Sequence, residues 1–232
     1  MSTAMSAALS ARSLTRVFVS GNLAPVRAVD SVNLTVEGGA FVAIQGPSGS
    51  GKTTLLGLLA GIERPDSGSV AILGHELARL STVERALLRR RKVGLVFQSF
   101  GLVPSLNVID NVCLPLALSG INGRDRYEPA RQALDSVGLA ALEAARIDEL
   151  SGGQRQRVGI ARALVTGPAL VLADEPTGSL DDETAGSILD LLRKEAAARG
   201  ASLVLVTHDA ESARLADEQY LMRDGRLERA EA

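Results

Sequence analysis

Short apolar runs alternate with helix-length segments along the chain. Phe41–Gln45 is almost wholly apolar and reads as a buried strand, and residues 53–60, ended by Gly61, read as the helix after it. Residues 69–73 and Val93–Phe97 are further strands, separated by an Arg-rich helix over Thr82–Lys92. From about residue 99 to 163 the strand pattern fades. Helices are predicted there over Val108–Leu118 and 127–137, joined by the polar stretch 119–124. Strands return at 169–173, Ser202–Thr207 and 219–222, with a helix over 182–199 between the first two. This alternation predicts an α/β fold with a mainly parallel sheet and crossover helices, interrupted by an inserted α-helical lobe. Alternating apolar positions in 12–36 (Val17, Val19, Val29, Val32, Leu34, Val36) predict an N-terminal antiparallel β region. The expected organisation is one domain over 12–228, with a core of 12–98 and 161–228, a helical lobe over about 99–160 and a flexible start at 1–11.

Composition narrows the function classes. The chain has 232 residues, 46% hydrophobic and 22% charged, which suits a globular domain with a substantial core. A net charge of −2 gives no basic excess, so no nucleic-acid partner is expected. The single cysteine, Cys113, has no partner for an intramolecular disulfide and reads as a small buried apolar residue. No apolar run approaches the ~18–20 residues of a membrane span, and the first twelve residues lack the apolar segment of a signal peptide. A cytoplasmic protein is expected.

Three motifs carry chemistry. Gly46-Pro47-Ser48-Gly49-Ser50-Gly51-Lys52-Thr53 fits the phosphate-loop pattern G-x-x-x-x-G-K-[ST], with a strand before it and a helix after it. Glycines let successive N–H groups wrap around phosphate, and the helix adds the positive end of its dipole. Lys52 supplies a point charge for the β/γ-phosphates and Thr53 a hydroxyl for Mg²⁺; Thr54 joins the nucleotide-binding set. The second motif, Leu170-Val171-Leu172-Ala173-Asp174-Glu175, ends a buried strand in two carboxylates, which asks for a cation nearby. Alternation along the strand aims them differently, Asp174 toward Mg²⁺ and Glu175 toward an attacking water. The third is Leu150-Ser151-Gly152-Gly153-Gln154, where Ser151 is a good N-cap and the two glycines leave a helix tip open to an anion.

In chain order, the glycine loop, Gln98, Leu-Ser-Gly-Gly-Gln, Asp174-Glu175 and then His208 resemble the ATP-binding cassette of ABC transporters over about residues 12–228. The resemblance implies a P-loop NTPase fold with a RecA-like core and an ATP- and Mg²⁺-dependent ATPase. It implies a homodimer in which Ser151, Gly152, Gly153 and Gln154 of one subunit close over ATP held by the glycine loop of the other. It assigns Gln98 to Mg²⁺ or water contact and His208 to sensing the γ-phosphate. Lys52, Gln98, Glu175 and His208 form the catalytic set, and Thr53, Gln98 and Asp174 the metal set. Ser179-Leu180-Asp181 matches a loop that contacts the opposite subunit. Phe18 falls where an aromatic ring, commonly Tyr, stacks on adenine; core packing is the alternative. Further phrases, among them Asp-Glu-Pro-Thr-Gly-Ser-Leu-Asp, are similar to the MacB/LolD-type branch, although Ser179 stands where Asn is frequent. The implied partner is an integral-membrane permease, which places the subunit on the inner face of the membrane. A regulator that signals to a membrane protein without moving solute would use the same motifs.

Overall fold

The structure is a computed structural model that describes residues 7–19, 24–121 and 123–230. In chain order the strands and helices are β1 (Leu9–Phe18), β2 (Val26–Val36), β3 (Phe41–Gln45), α1 (Lys52–Leu59), β4 (Ser67–Ile72), β5 (His75–Glu76), α2 (Thr82–Lys92), β6 (Val93–Phe97), α3 (Val108–Leu118), α4 (Tyr127–Ser136), α5 (Gly152–Leu164), β7 (Leu170–Asp174), α6 (Asp182–Ala198), β8 (Ser202–Thr207), α7 (Ala210–Arg214), β9 (Glu218–Arg223) and β10 (Arg226–Arg229). Short 3₁₀ turns fill several of the connections. The chain divides into two compact units, one of residues up to Ala86 with those from Ser202 onward, the other Leu87–Ala201.

The first unit holds an antiparallel sheet in the order β2-β1-β4-β5. Its alternation is displaced by bulges. Leu9 and Ala11 face inward on β1, and the next inward residue is Leu14, because the register shifts between Ala11 and Leu14. Ser13 there has φ 46°, and Ser31 on β2 has φ 54°. An extra residue in a strand returns the apolar positions to the same face, so Val29, Val32, Leu34 and Val36 are all buried. Val19, expected to alternate inward, is 71% exposed just past the end of β1.

The same unit contains β3, paired in parallel with β8 and β9, while β9 pairs antiparallel with β10. Phe41 to Ile44 and all six residues of β8 are buried, the near-continuous apolar pattern of a strand covered on both faces. α1 packs against β1, β2 and β8 through Leu55, Leu58 and Leu59, so the helix is held between sheet layers.

In the second unit β6 and β7 pair in parallel, with Phe97 opposite Asp174. α5 lies directly on β6: a Cβ added at Gly94 would stand 2.5 Å from the Ala163 carbonyl. α3, α4 and α6 pack around α5, and Cys113 is buried on α3. Burial raises the Cys113 thiol above its ordinary pKa, which suppresses thiolate chemistry.

β1 opens at Leu9, within the start expected over 1–11, and pairs it with Val36 and Ile72; residues 1–6 lie outside the described residues. The second compact unit, Leu87–Ala201, holds β6, β7 and α6 together with the helices expected over 99–160. Asn122, within the expected 119–124 connection, also lies outside the described residues.

Candidate active site

The glycine loop closes directly on β3. Gly49 takes φ 80° and Gly51 φ 103°, both in the left-handed region that a side chain resists. A Cβ at Gly51 would stand 1.9 Å from the Ala28 carbonyl, and one at Gly46 2.3 Å from the Met222 carbonyl. Around Gly49 nothing lies within 4 Å of such an atom, so the loop is tight toward the protein and open outward. The Gly225 amide donates to the Ser50 carbonyl at 3.1 Å, bracing the loop with the turn between β9 and β10.

Gly51 caps α1 with no side-chain hydrogen bond, which leaves the helix tip available to an anion. Lys52 is 4% exposed, and its ammonium donates to the Gly46 and Pro47 carbonyls at 2.9 Å each. The lysine is thus pinned across the loop. Ser50 is buried, and its Oγ has no hydrogen-bond partner among the described residues. A buried orphan hydroxyl in a glycine loop that opens a helix with no side-chain cap fits a phosphate-bearing ligand. Thr53 is exposed and Thr54 half-buried at the start of α1.

Also in the first unit, His208 is exposed immediately after β8. Asp209 next to it caps α7, accepting from the Glu211 and Ser212 amides at 3.2 and 2.8 Å. Phe18 ends β1 with 40% of its surface exposed, so it is not a core residue. The Arg16 guanidinium lies 4.8 Å from the ring centroid and is itself held by Asp66 at 3.0 Å. Arg16 was not anticipated, although its i, i+2 spacing from Phe18 puts both on one strand face.

The second unit gathers Gln98, Glu175 and Ser179. Gln98 and Glu175 follow the paired residues Phe97 and Asp174, so parallel register delivers them side by side. Both reach Gly178: a Cβ there would lie 2.8 Å from Gln98 Nε2 and 3.3 Å from Glu175 Oε2. Ser179 Oγ donates to the Gln98 carbonyl at 3.3 Å. Glu175 has φ 45°, a left-handed conformation that costs a non-glycine residue about 1–2 kcal/mol and here re-aims the chain as it leaves the strand. Asp174 is half-buried at the end of β7.

Ser151 caps α5 as expected: its Oγ accepts from the Gln154 amide at 3.2 Å, while the Gln154 side chain accepts from the Ser151 amide at 2.9 Å. Such a capping box fixes the helix tip. Gly152 and Gly153 also pack closely, since a Cβ at Gly153 would meet Thr184 Cγ2 at 2.7 Å and one at Gly152 would meet Leu180 Cδ2 at 3.1 Å. Among the described residues there is no cluster of three or more His, Cys, Asp or Glu that could hold a metal. No helix among them is long and apolar enough to cross a membrane.

The family model described as "ABC transporter" matches residues 29–178. The lipoprotein-releasing system ATP-binding protein LolD of Bordetella pertussis (strain Tohama I) is 46% identical over 222 residues, which covers 95% of each chain. The pyoverdine export ATP-binding/permease protein PvdT of Pseudomonas aeruginosa is 44% identical over 208 residues, 89% of this chain and 31% of that one. Among solved structures, a dimeric post-hydrolysis state of the ATP-binding cassette MJ0796 bound to ADP and Pi matches with a TM-score of 0.87 and 36% identity, covering 97% of this chain and 99% of that one. With its glycine loop, its paired Gln98 and Glu175 and its serine-capped glycine tip, the chain belongs to the ABC transporter family.

Proposed function

We propose that the chain is the ATP-binding and hydrolysing subunit of an ABC transporter, and that ATP-driven homodimerisation powers a separate membrane permease. The observation that carries this reading is the meeting of Gln98 and Glu175 over Gly178, at the ends of two paired strands, in a chain that also has an uncapped glycine-loop helix. The likeness to LolD and PvdT supports the branch that does mechanical work or export across an envelope. Docking on a permease would hold the subunit at the membrane surface.

In this reading Lys52 and the loop amides bind the β/γ-phosphates, and Ser50 adds its orphan hydroxyl. Phe18 offers its exposed face to adenine. Thr53, Asp174 and Gln98 supply hard oxygen donors that fit Mg²⁺, few enough to leave places for phosphate and water. Mg²⁺, when bound, would neutralise charge on the transferring phosphoryl. Glu175 orients and deprotonates the attacking water, and His208 steadies the γ-phosphoryl. Ser151, Gly152, Gly153 and Gln154 face the nucleotide of the second subunit. Most of the acceleration comes from positioning and fixed charge.

The test is Glu175→Gln. This variant keeps the side-chain volume and loses the base, so turnover falls by about 10²–10⁴-fold while ATP binding persists. Light scattering with saturating ATP then finds a stable dimer. A monomer under those conditions, or unaltered turnover, refutes the reading.

A further inference from the structure

The loop after β6 is fastened to α5. Arg162 Nη1 donates to the Gly101 carbonyl at 2.6 Å, and Nη2 donates to the Phe100 carbonyl at 3.0 Å. Phe100 and Gly101 both have φ 61°, a conformation that a phenylalanine adopts only where its surroundings impose it. Arg155, on the same helix face two turns earlier, sits over the Phe100 ring at 5.5 Å from its centroid. Between them the loop runs close over Gly159, where a Cβ would be in ordinary contact with the Phe100 carbonyl at 3.5 Å. Gln156 is fully buried and directs Nε2 to the Phe97 carbonyl at a long 3.5 Å. These contacts bracket Gln98 on both sides.

The chemistry of Arg162 is unusual for a packing residue. Among the described residues no carboxylate pairs with it, and its polar partners are the two loop carbonyls. Burial lowers its pKa from the ordinary guanidinium value. A cation kept at that cost, on a fork that matches two adjacent carbonyls, is devoted to the loop.

We infer that Arg162 is a positioning residue for Gln98, and that α5 carries the Gln98 loop and the Ser151–Gln154 tip as one piece. The inference rests on the reading that Gln98 serves hydrolysis. It gives the homodimer a route between its two nucleotides. Gln98 attends the ATP bound by its own chain, Ser151 faces the ATP of the second chain, and one helix joins them.

A double-mutant cycle on the full chain tests this, using Mg-ATP turnover of the wild type, Arg162→Lys, Gln98→Ala and the double variant. Lysine keeps the charge and loses the fork. Arg162→Lys is expected to lower kcat about tenfold with KM and Tm nearly unchanged, and to have no further effect once Gln98 is alanine. Arg155→Ala, which removes the cation over the Phe100 ring together with its stem, should give about a threefold loss with the same dependence on Gln98. Equal losses in both backgrounds, or unaltered kcat in Arg162→Lys, overturn the inference while leaving the role of Gln98 standing. Full turnover in Gln98→Ala overturns that role, and the inference with it.

Discussion

The Ser179 hydroxyl donates to the backbone carbonyl of Gln98 at 3.3 Å, tying the loop after β7 to the loop after β6. Both residues are exposed, so packing does not force this bond. It joins a residue expected to face a second subunit to one expected to serve the metal and water.

Gly178, one residue before Ser179, is where these loops are tightest. A Cβ at this position meets Gln98 Nε2 at 2.8 Å, the mobile end of a side chain, so the chain can accept it by displacing the glutamine. Gly178→Ala should therefore leave Tm within about 2 °C of wild type. Its kcat should drop about tenfold, equivalent to about 1.4 kcal/mol in the barrier. Differential scanning calorimetry and steady-state kinetics separate the two; normal turnover would show that the Gln98 amide position is unimportant.

Gly51 and Gly49 share a left-handed backbone but differ in their surroundings. At Gly51 the obstacle is the Ala28 backbone at 1.9 Å, which has no rotamer to change. Gly51→Ala should cost about 3 kcal/mol or more, from overpacking added to strain. Gly49→Ala meets open space and should cost about 1 kcal/mol, from the conformation alone. Urea unfolding of both variants without nucleotide checks the ordering, and equal midpoints would contradict it.

Asp209 provides a pH test. The Ser212 hydroxyl holds its carboxyl below the ordinary 3.8, against partial burial, with help from the Ser212 and Glu211 amides and the nearby His208. A carboxylate with a depressed folded pKa stabilises the fold above its unfolded pKa, and that stability is lost as pH falls through the folded value. Asp209→Asn keeps a good helix cap but does not ionise. The stability difference between wild type and Asp209→Asn should be present at pH 7 and shrink below pH 3.8. Urea midpoints across that range measure it; a difference independent of pH would remove the charge from the account.

Much of this was legible in the residues themselves. Phe41–Gln45, Val93–Phe97 and Ser202–Thr207 end where the apolar runs end, and Ser151 caps α5 as its sequence dictates. What escaped was structure without a local signature. β10 has one apolar residue in Arg226-Leu227-Glu228-Arg229 and exists because β9 offers it a partner. α7 is five residues long, too short for a periodic pattern, and depends on the Asp209 cap. Phe18 reads equally as core or as base platform until its exposure is known, and the shift of face near Ser13 depends on a bulge no pattern announces. Arg155, Gly159 and Arg162 did share a visible i, i+4, i+7 face; the loop they serve could be identified only in three dimensions.

The brace from Gly225 to Ser50, together with Met222 against Gly46, has a consequence for biosynthesis. Ribosomes deliver the phosphate-cradling segment well before its buttress. A nascent polypeptide therefore acquires the letters of its nucleotide cradle long before the cradle can harden, and the cradle sets only once β9 and β10 have followed it.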